Sequence, residues 1–177
     1  TLVFVGCMSS ARRQSGVEAL TRLLEGAGVP FSVLSHEVCC GSPMLRMGYT
    51  QEFEQLAREN IRMIEDAGVK RVLFPCAGCE LTFAQHYLKM GLDVELISAT
   101  EFVLDLLEQK RIEVHPHLPV SIAYHTPCHL VDGERIAGRL KSVLGSVPNV
   151  RVHILDEGCC GAGGGVRSAF PELSSGM

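Results

Sequence analysis

Eight cysteines are spaced so that one pattern begins twice, and this spacing restricts the folds open to the chain more than any other feature. Cys7 is followed, after residues 8–38, by the adjacent pair Cys39-Cys40, and residues 41–75 then lead to Cys76-Ala77-Gly78-Cys79. Farther on, Cys128 precedes a second adjacent pair, Cys159-Cys160, across residues 129–158. Glycine follows each pair, as Gly41 and Gly161. Cys7 to Cys128 is 121 positions and Cys40 to Cys160 is 120, so the register repeats. Carried forward by about 120 positions, a second CxxC falls near 196 and 199, beyond Met177.

A chain of 177 residues, 46% of them hydrophobic, can bury a core without covalent staples. No window approaches the ~20 apolar residues of a membrane span, and the first residues resemble neither a signal nor a transit peptide. Thr1 enters an apolar run with no initiator Met, the expectation for a processed protein or a piece of a longer one. A net charge of −4 and the lack of a basic run argue against nucleic acid as a partner.

Short apolar runs alternate with amphipathic helices, which predicts an α/β fold of two pseudo-symmetric Rossmann-like units with mainly parallel sheets, the second incomplete. Strands are expected at 2–5, 31–34, 72–74 and 94–97. Helices are expected from Val17 to Ala27, from Thr50 to a stop at Gly68, from about Glu80 to Met90, and from Glu101 to Gln109. The helix after Thr50 is expected to turn Phe53, Leu56, Ile61 and Ile64 inward. Residues 1–111 form the first unit, and 112–119, with Pro116 and Pro119, read as a connector. Residues 120–177 restart the design, with a strand at 120–124, a helix over 136–144 and a strand at 150–155.

Cys7, Cys39 and Cys76 each lie just beyond an expected strand, so three distant loops should meet at the carboxyl edge of one sheet. A CxxC at a helix start lets two sulfurs share one site, and the N–H groups there favour thiolate. Disulfides fit poorly, because no secretion signal is present and adjacent cysteines pair only with strain. Five thiolates exceed the four of a tetrahedral zinc site, whereas an iron–sulfur assembly can take more sulfur.

The combined pattern resembles the cysteine-rich, or CCG, domain of heterodisulfide reductase catalytic subunits. It is similar also to iron–sulfur subunits of glycolate and lactate oxidases, anaerobic glycerol-3-phosphate dehydrogenase and thiol:fumarate reductase. Cys7, Cys39, Cys40, Cys76 and Cys79 match one full motif, and Cys128, Cys159 and Cys160 match the first three-fifths of another. The strings Tyr124-His125-Thr126-Pro127-Cys128-His129-Leu130 and Cys159-Cys160-Gly161-Ala162-Gly163-Gly164-Gly165 also carry the resemblance. It implies a non-cubane [4Fe-4S] cluster at the first motif, and a cluster, zinc or nothing at the second. It implies a cytoplasmic protein attached to a membrane only through another subunit. Implied partners are a ferredoxin-type iron–sulfur domain or subunit, a flavoprotein or membrane cytochrome subunit, and a small thiol or disulfide substrate.

The function expected is disulfide reduction, or the reverse thiol oxidation, within a complex. The rivals are an electron-relay subunit of a flavin-dependent hydroxy-acid or glycerol-3-phosphate dehydrogenase, and a zinc-binding structural module. His125 and His129 flank Cys128 and are the candidates for proton donation to a departing thiolate or for tuning a cluster, with a structural role as the plain alternative. Gly41, Gly161 and Gly163 are expected where the backbone closely approaches a cofactor or substrate. The run Gly161 to Gly165 lacks the strand–GxGxxG–helix context of a dinucleotide site.

Overall fold

The computed structural model describes residues 1–155 and 158–176. Strands β1 (Leu2–Val3), β2 (Ser32–Val33), β3 (Arg71–Phe74) and β4 (Glu95–Ser98) form one parallel sheet in the order β2-β1-β3-β4. The chain therefore enters at the middle of the sheet, moves outward to β2, and crosses back to β3 on the other side of β1. The crevice beyond β1 and β3 is where such a sheet presents a site.

The strand side chains alternate faces, as pleating requires. Leu2, Phe4, Val72 and Phe74 pack with Phe53, Ala57, Ile64, Phe83 and Tyr87, whereas Val3 and Leu73 pack with Leu20, Leu24, Phe102 and Leu106 on the opposite face. The helices delivering these contacts include α2 (Gln14–Gly26), α4 (Thr50–Asp66) and α6 (Ala99–Glu108). Gly28 (φ +64°) and Gly68 (φ +62°) follow α2 and α4 in the left-handed conformation that ends a helix.

Other elements depart from the simple alternation. Cys7 opens a short helix, α1 (Cys7–Arg12), and Ser42–Arg46 forms α3. The helix expected at 80–90 starts earlier, as α5 (Ala77–Thr82), and then widens into a π-helical turn, Phe83–Tyr87, before a 3-10 turn at Leu88–Met90. Phe83 stacks on Tyr87 there, at 3.7 Å between ring centroids and 13° between planes. In α4 the buried stripe is Phe53, Ala57, Asn60 and Ile64, while Leu56 and Ile61 are only half-buried.

After irregular residues 112–119, β5 (Val120–Tyr124), α7 (Gly133–Gly145) and β6 (Val150–Ile154) give a second, two-stranded parallel sheet with one helix. Ile136 and Leu140 of α7 pack against Leu104 of α6, a helix that thus packs against elements of both sheets. The seam carries a charged latch: Arg139 contacts Asp105 at 2.7 Å, Glu108 at 2.6 Å and Glu101 at 3.4 Å, and Arg135 reaches Glu101 at 2.6 Å. Beyond β6 lie a 3-10 turn, Gly163–Gly165, and the short helices α8 (Val166–Ala169) and α9 (Pro171–Ser175). No helix among the described residues is long and apolar enough to cross a membrane.

Candidate metal centre

Each of the first five cysteines sits just past a strand of the first sheet or at the helix start that follows it. Cys7 follows β1, Cys39 and Cys40 lie in the irregular segment after β2, and Cys76 caps α5 directly after β3. The fold brings the Cys7 and Cys39 sulfurs together and gathers Cys39, Cys40, Cys76 and Cys79 around one buried cluster. The Cys7 and Cys39 sulfurs are 3.5 Å apart, well beyond the ~2.05 Å of a disulfide. All eight cysteines are free thiols.

Crowding divides the thiols into donors and acceptors. The neighbouring Cys39 and Cys79 thiols draw Cys40 far below the ordinary thiol range against the cost of burial. The neighbouring Cys79 thiol likewise lowers Cys76, to about 6, helped by the Gly78 and Cys79 N–H groups in the first turn of α5. Cys39 and Cys79 are pushed up in return, because giving up their protons would place thiolates side by side. Two thiolates held among three further thiols form a donor set suited to a multinuclear cation. Among the described residues, no group of three or more His, Cys, Asp or Glu side chains converges tightly enough for a single metal ion.

The backbone around these sulfurs is fixed by groups that the cysteine spacing did not flag. Both oxygens of Glu37 accept backbone hydrogen bonds, from Val5 N–H at 2.8 Å and Gly6 N–H at 2.6 Å, tying the end of β1 to the loop before Cys39. Burial pushes the Glu37 carboxyl up, and those two N–H groups pull it back down. Gly6 has φ +76°, and a side chain there would meet the Cys79 sulfur at 3.1 Å. Gly41 (φ +81°) admits no side chain either, since a Cβ would lie 2.6 Å from the Phe53 ring. At Gly161 (φ +66°) the backbone of Ser174 in α9 presses in the same way. The close approach at both glycines is thus made by the protein's own groups. Gly163 faces open space.

The second set is less enclosed. Cys128, Cys159 and Cys160 are all exposed, whereas Cys40 and Cys79 are buried. The Gly161 N–H donates to the Cys159 sulfur at 3.4 Å. His125 donates from Nε2 to the Gly158 carbonyl at 2.9 Å, joining the Cys128 loop to the segment before Cys159. His129 turns the other way, toward the first set. Its Nε2 meets Arg46 Nη2 of α3 at 2.8 Å, and its Nδ1 lies 3.6 Å from where a side chain at Gly78 would begin. A guanidinium only donates, so Nε2 must accept and the ring proton sits on Nδ1, beside the CxxC turn. Partial burial and the Arg46 charge hold His129 below the ordinary imidazole range, which keeps it neutral. An open cleft of about 320 Å³, lined by Met8, Arg13, Val17, Leu20 and Pro75, reaches Cys76.

The cysteine-rich domain family matches residues 1–84 and matches again over residues 122–175. One subunit of the fumarate reductase (CoM/CoB) of Methanothermobacter marburgensis is 34% identical over 176 residues, covering 98% of this chain and 35% of that protein. One subunit of the dihydromethanophenazine:CoB–CoM heterodisulfide reductase of Methanosarcina mazei is 32% identical over 186 residues, covering 98% and 46%. An iron–sulfur protein of Methanocaldococcus jannaschii is 33% identical over 172 residues, covering 97% and 34%. The chain spans less than half the length of each of these relatives. With two matches that take in all eight cysteines, and relatives drawn from oxidoreductase subunits and iron–sulfur proteins, the chain belongs to the cysteine-rich (CCG) domain family.

Proposed function

We propose that Cys7, Cys39, Cys40, Cys76 and Cys79 hold an iron–sulfur cluster, of the non-cubane [4Fe-4S] kind, and that the domain reduces a small disulfide or oxidises the corresponding thiols within a larger oxidoreductase. The observation that carries this reading is the gathering of five thiols from three loops, Cys7 against Cys39 and Cys39, Cys40, Cys76 and Cys79 around one buried cluster. The donor set fits the group: five sulfurs, two already thiolate in character, with glycine at the positions that crowd them. When bound, the cluster would supply one-electron redox chemistry and an iron accessible to sulfur.

The chain's own residues would do the rest. Three loops at the sheet edge hold the sulfurs, and Glu37 fixes the loop that presents Cys7. His129, oriented by Arg46, directs a neutral Nδ1–H toward the CxxC turn, where it can hydrogen-bond a substrate sulfur as negative charge develops. The cleft beside Cys76 gives a small thiol or disulfide a route to the site. Eight free thiols suit a reducing compartment such as the cytoplasm. Electrons would come from a ferredoxin-type iron–sulfur domain, a flavoprotein or a cytochrome subunit.

An electron-relay role is the second reading, favoured by the 30% identity over 173 residues to one subunit of the anaerobic glycerol-3-phosphate dehydrogenase of Escherichia coli. Electron paramagnetic resonance of the anaerobically reconstituted protein decides between the two. Iron and acid-labile sulfide should load, and the signal should change when 2-hydroxyethyl disulfide or 2-mercaptoethanol is added. A loaded protein whose signal ignores both probes points to relay. A protein holding zinc alone, with no sulfide, overturns both readings.

A further inference from the structure

Behind the adjacent cysteines, three consecutive carbonyls are taken up by two side chains from other elements. Asn60 Nδ2 donates to Cys39 O at 3.2 Å, Val38 O at 3.4 Å and the Tyr87 hydroxyl at 3.1 Å. The Tyr87 hydroxyl then donates to Cys40 O at 3.1 Å. Two amide hydrogens serve three acceptors, so one hydrogen is shared, and the longer reach to Val38 is the weakest. The order is fixed throughout: Tyr87 accepts from Asn60, so its proton must go to Cys40 O. Burial raises the Tyr87 pKa and keeps the hydroxyl a donor. Asn60 and Tyr87 are both 0% exposed.

Consecutive side chains of an extended chain point to opposite faces. Cys39 and Cys40 nevertheless both pack against the buried cluster that holds Cys79, and the Cys39 sulfur also meets that of Cys7. Their peptide must be turned to do this, in a segment with no regular secondary structure to satisfy its carbonyls. Asn60 and Tyr87 supply the missing partners. The Asn60 amide oxygen is itself buried with no hydrogen-bond partner, a cost that an apolar residue on the core stripe of α4 would avoid. The π-helical turn that carries Tyr87 is a distortion of a kind common at functional sites.

We propose that Asn60 and Tyr87 are the positioning residues of the Cys39-Cys40 pair. Their buried hydrogen-bond chain holds the peptide turned, so that both sulfurs face one centre. The proposal deepens the cluster reading and rests on Cys40 being one of its ligands.

Residue-resolved alkylation of the metal-free protein with iodoacetamide tests the strap without iron. Cys79 serves as the reference, being equally buried but not strapped. In Tyr87→Phe, which keeps the ring and removes one hydroxyl, the Cys40 rate relative to Cys79 should rise about five-fold, the factor expected for one lost hydrogen bond. Asn60→Leu should raise it further. If Asn60→Leu fails to fold, Tyr87→Phe decides alone. A ratio within two-fold of the parent overturns the proposal. In the loaded protein, Tyr87→Phe should shift the paramagnetic resonance line shape at full iron content, and a raised ratio with an identical spectrum overturns the positioning role. A parent protein that loads no iron sinks the cluster reading, and the alkylation ratio still decides the strap.

Discussion

Arg46 and His129, 83 positions apart, meet at 2.8 Å and join α3 to the Cys128 loop. Because Arg46 donates, His129 is held neutral with its proton on Nδ1. A residue nominated from the second cysteine motif thereby lies against the first, a relationship that spacing alone does not reveal.

A dependence of stability on pH follows. The folded chain resists protonating His129, whereas the unfolded chain takes up that proton near pH ~6.5. The stability this group contributes is therefore present above about pH 6.5 and is lost as the pH falls toward the folded value. Thermal melts of the metal-free protein between pH 8 and about pH 5 should show a gentler acid limb in His129→Gln than in the parent. Arg46→Met should move the His129 titration upward, as followed by its ring proton resonances. An acid limb unchanged in His129→Gln would remove the pair from the account.

Cys76 should be the early nucleophile of the CxxC turn. With a pKa near 6, it is largely thiolate at neutral pH, so its alkylation should reach half its maximal rate near pH 6 in the metal-free protein. The largest cause is the neighbouring Cys79 thiol. Cys79→Ala should therefore move that midpoint upward toward the ordinary thiol range, even though it empties space around the sulfur. A midpoint that stays put would mean that the helix-start N–H groups, and not Cys79, hold the thiolate.

Much of this arrangement is legible in the sequence for a simple reason. Parallel strands buried on both faces read as short apolar runs, and loops at their carboxyl ends must converge, so Cys7, Cys39, Cys40, Cys76 and Cys79 could be grouped before any coordinates. The supports of the site were hidden because they look ordinary. Asn60 reads as a polar residue on an amphipathic helix until the stripe Phe53-Ala57-Asn60-Ile64 is seen to face the core. The π-helical turn at Phe83–Tyr87 coincides with the stacking of those two buried rings, which local periodicity does not encode. Helix α1 escaped because Met8, Ser9 and Ser10 form no apolar stripe and no side chain caps it. Glu37 carries no spacing signal, since its partners are backbone N–H groups 31 and 32 positions away.

The two glycines Gly41 and Gly16 should respond oppositely to alanine. Gly41 combines a left-handed backbone with a Cβ position 2.6 Å from the Phe53 ring. Gly41→Ala should thus cost roughly 2–4 kcal/mol, from backbone strain and overpacking together. Gly16 lies within α2 with open space around it. Gly16→Ala should stabilise by about 0.5–1 kcal/mol. Urea denaturation of the metal-free proteins measures both, and a destabilised Gly16→Ala would show that the space beside α2 is occupied in solution.

Glu80, next to Cys79 and 4% exposed, has one carboxylate oxygen with no hydrogen-bond partner. Burial raises its pKa to about 7, with Glu101 and Asp132 adding negative charge nearby. Here the sign is opposite to that of His129. A carboxyl whose folded pKa is raised binds its proton more tightly in the fold, so its penalty is small in acid and grows as the pH rises toward 7. Glu80→Gln should therefore stabilise the metal-free protein at pH 8 by on the order of 1–3 kcal/mol, and most of that gain should vanish by about pH 5. Arg135 binds Glu101 at 2.6 Å and Asp132 at 3.6 Å, which offsets the two charges acting on Glu80. Arg135→Gln should consequently steepen the loss of stability with rising pH, and the double variant with Glu80→Gln should abolish that added steepness. If Arg135→Gln lowers stability equally at pH 5 and pH 8, the arginine acts only as a link between α6 and α7, and Glu80 does not sense it.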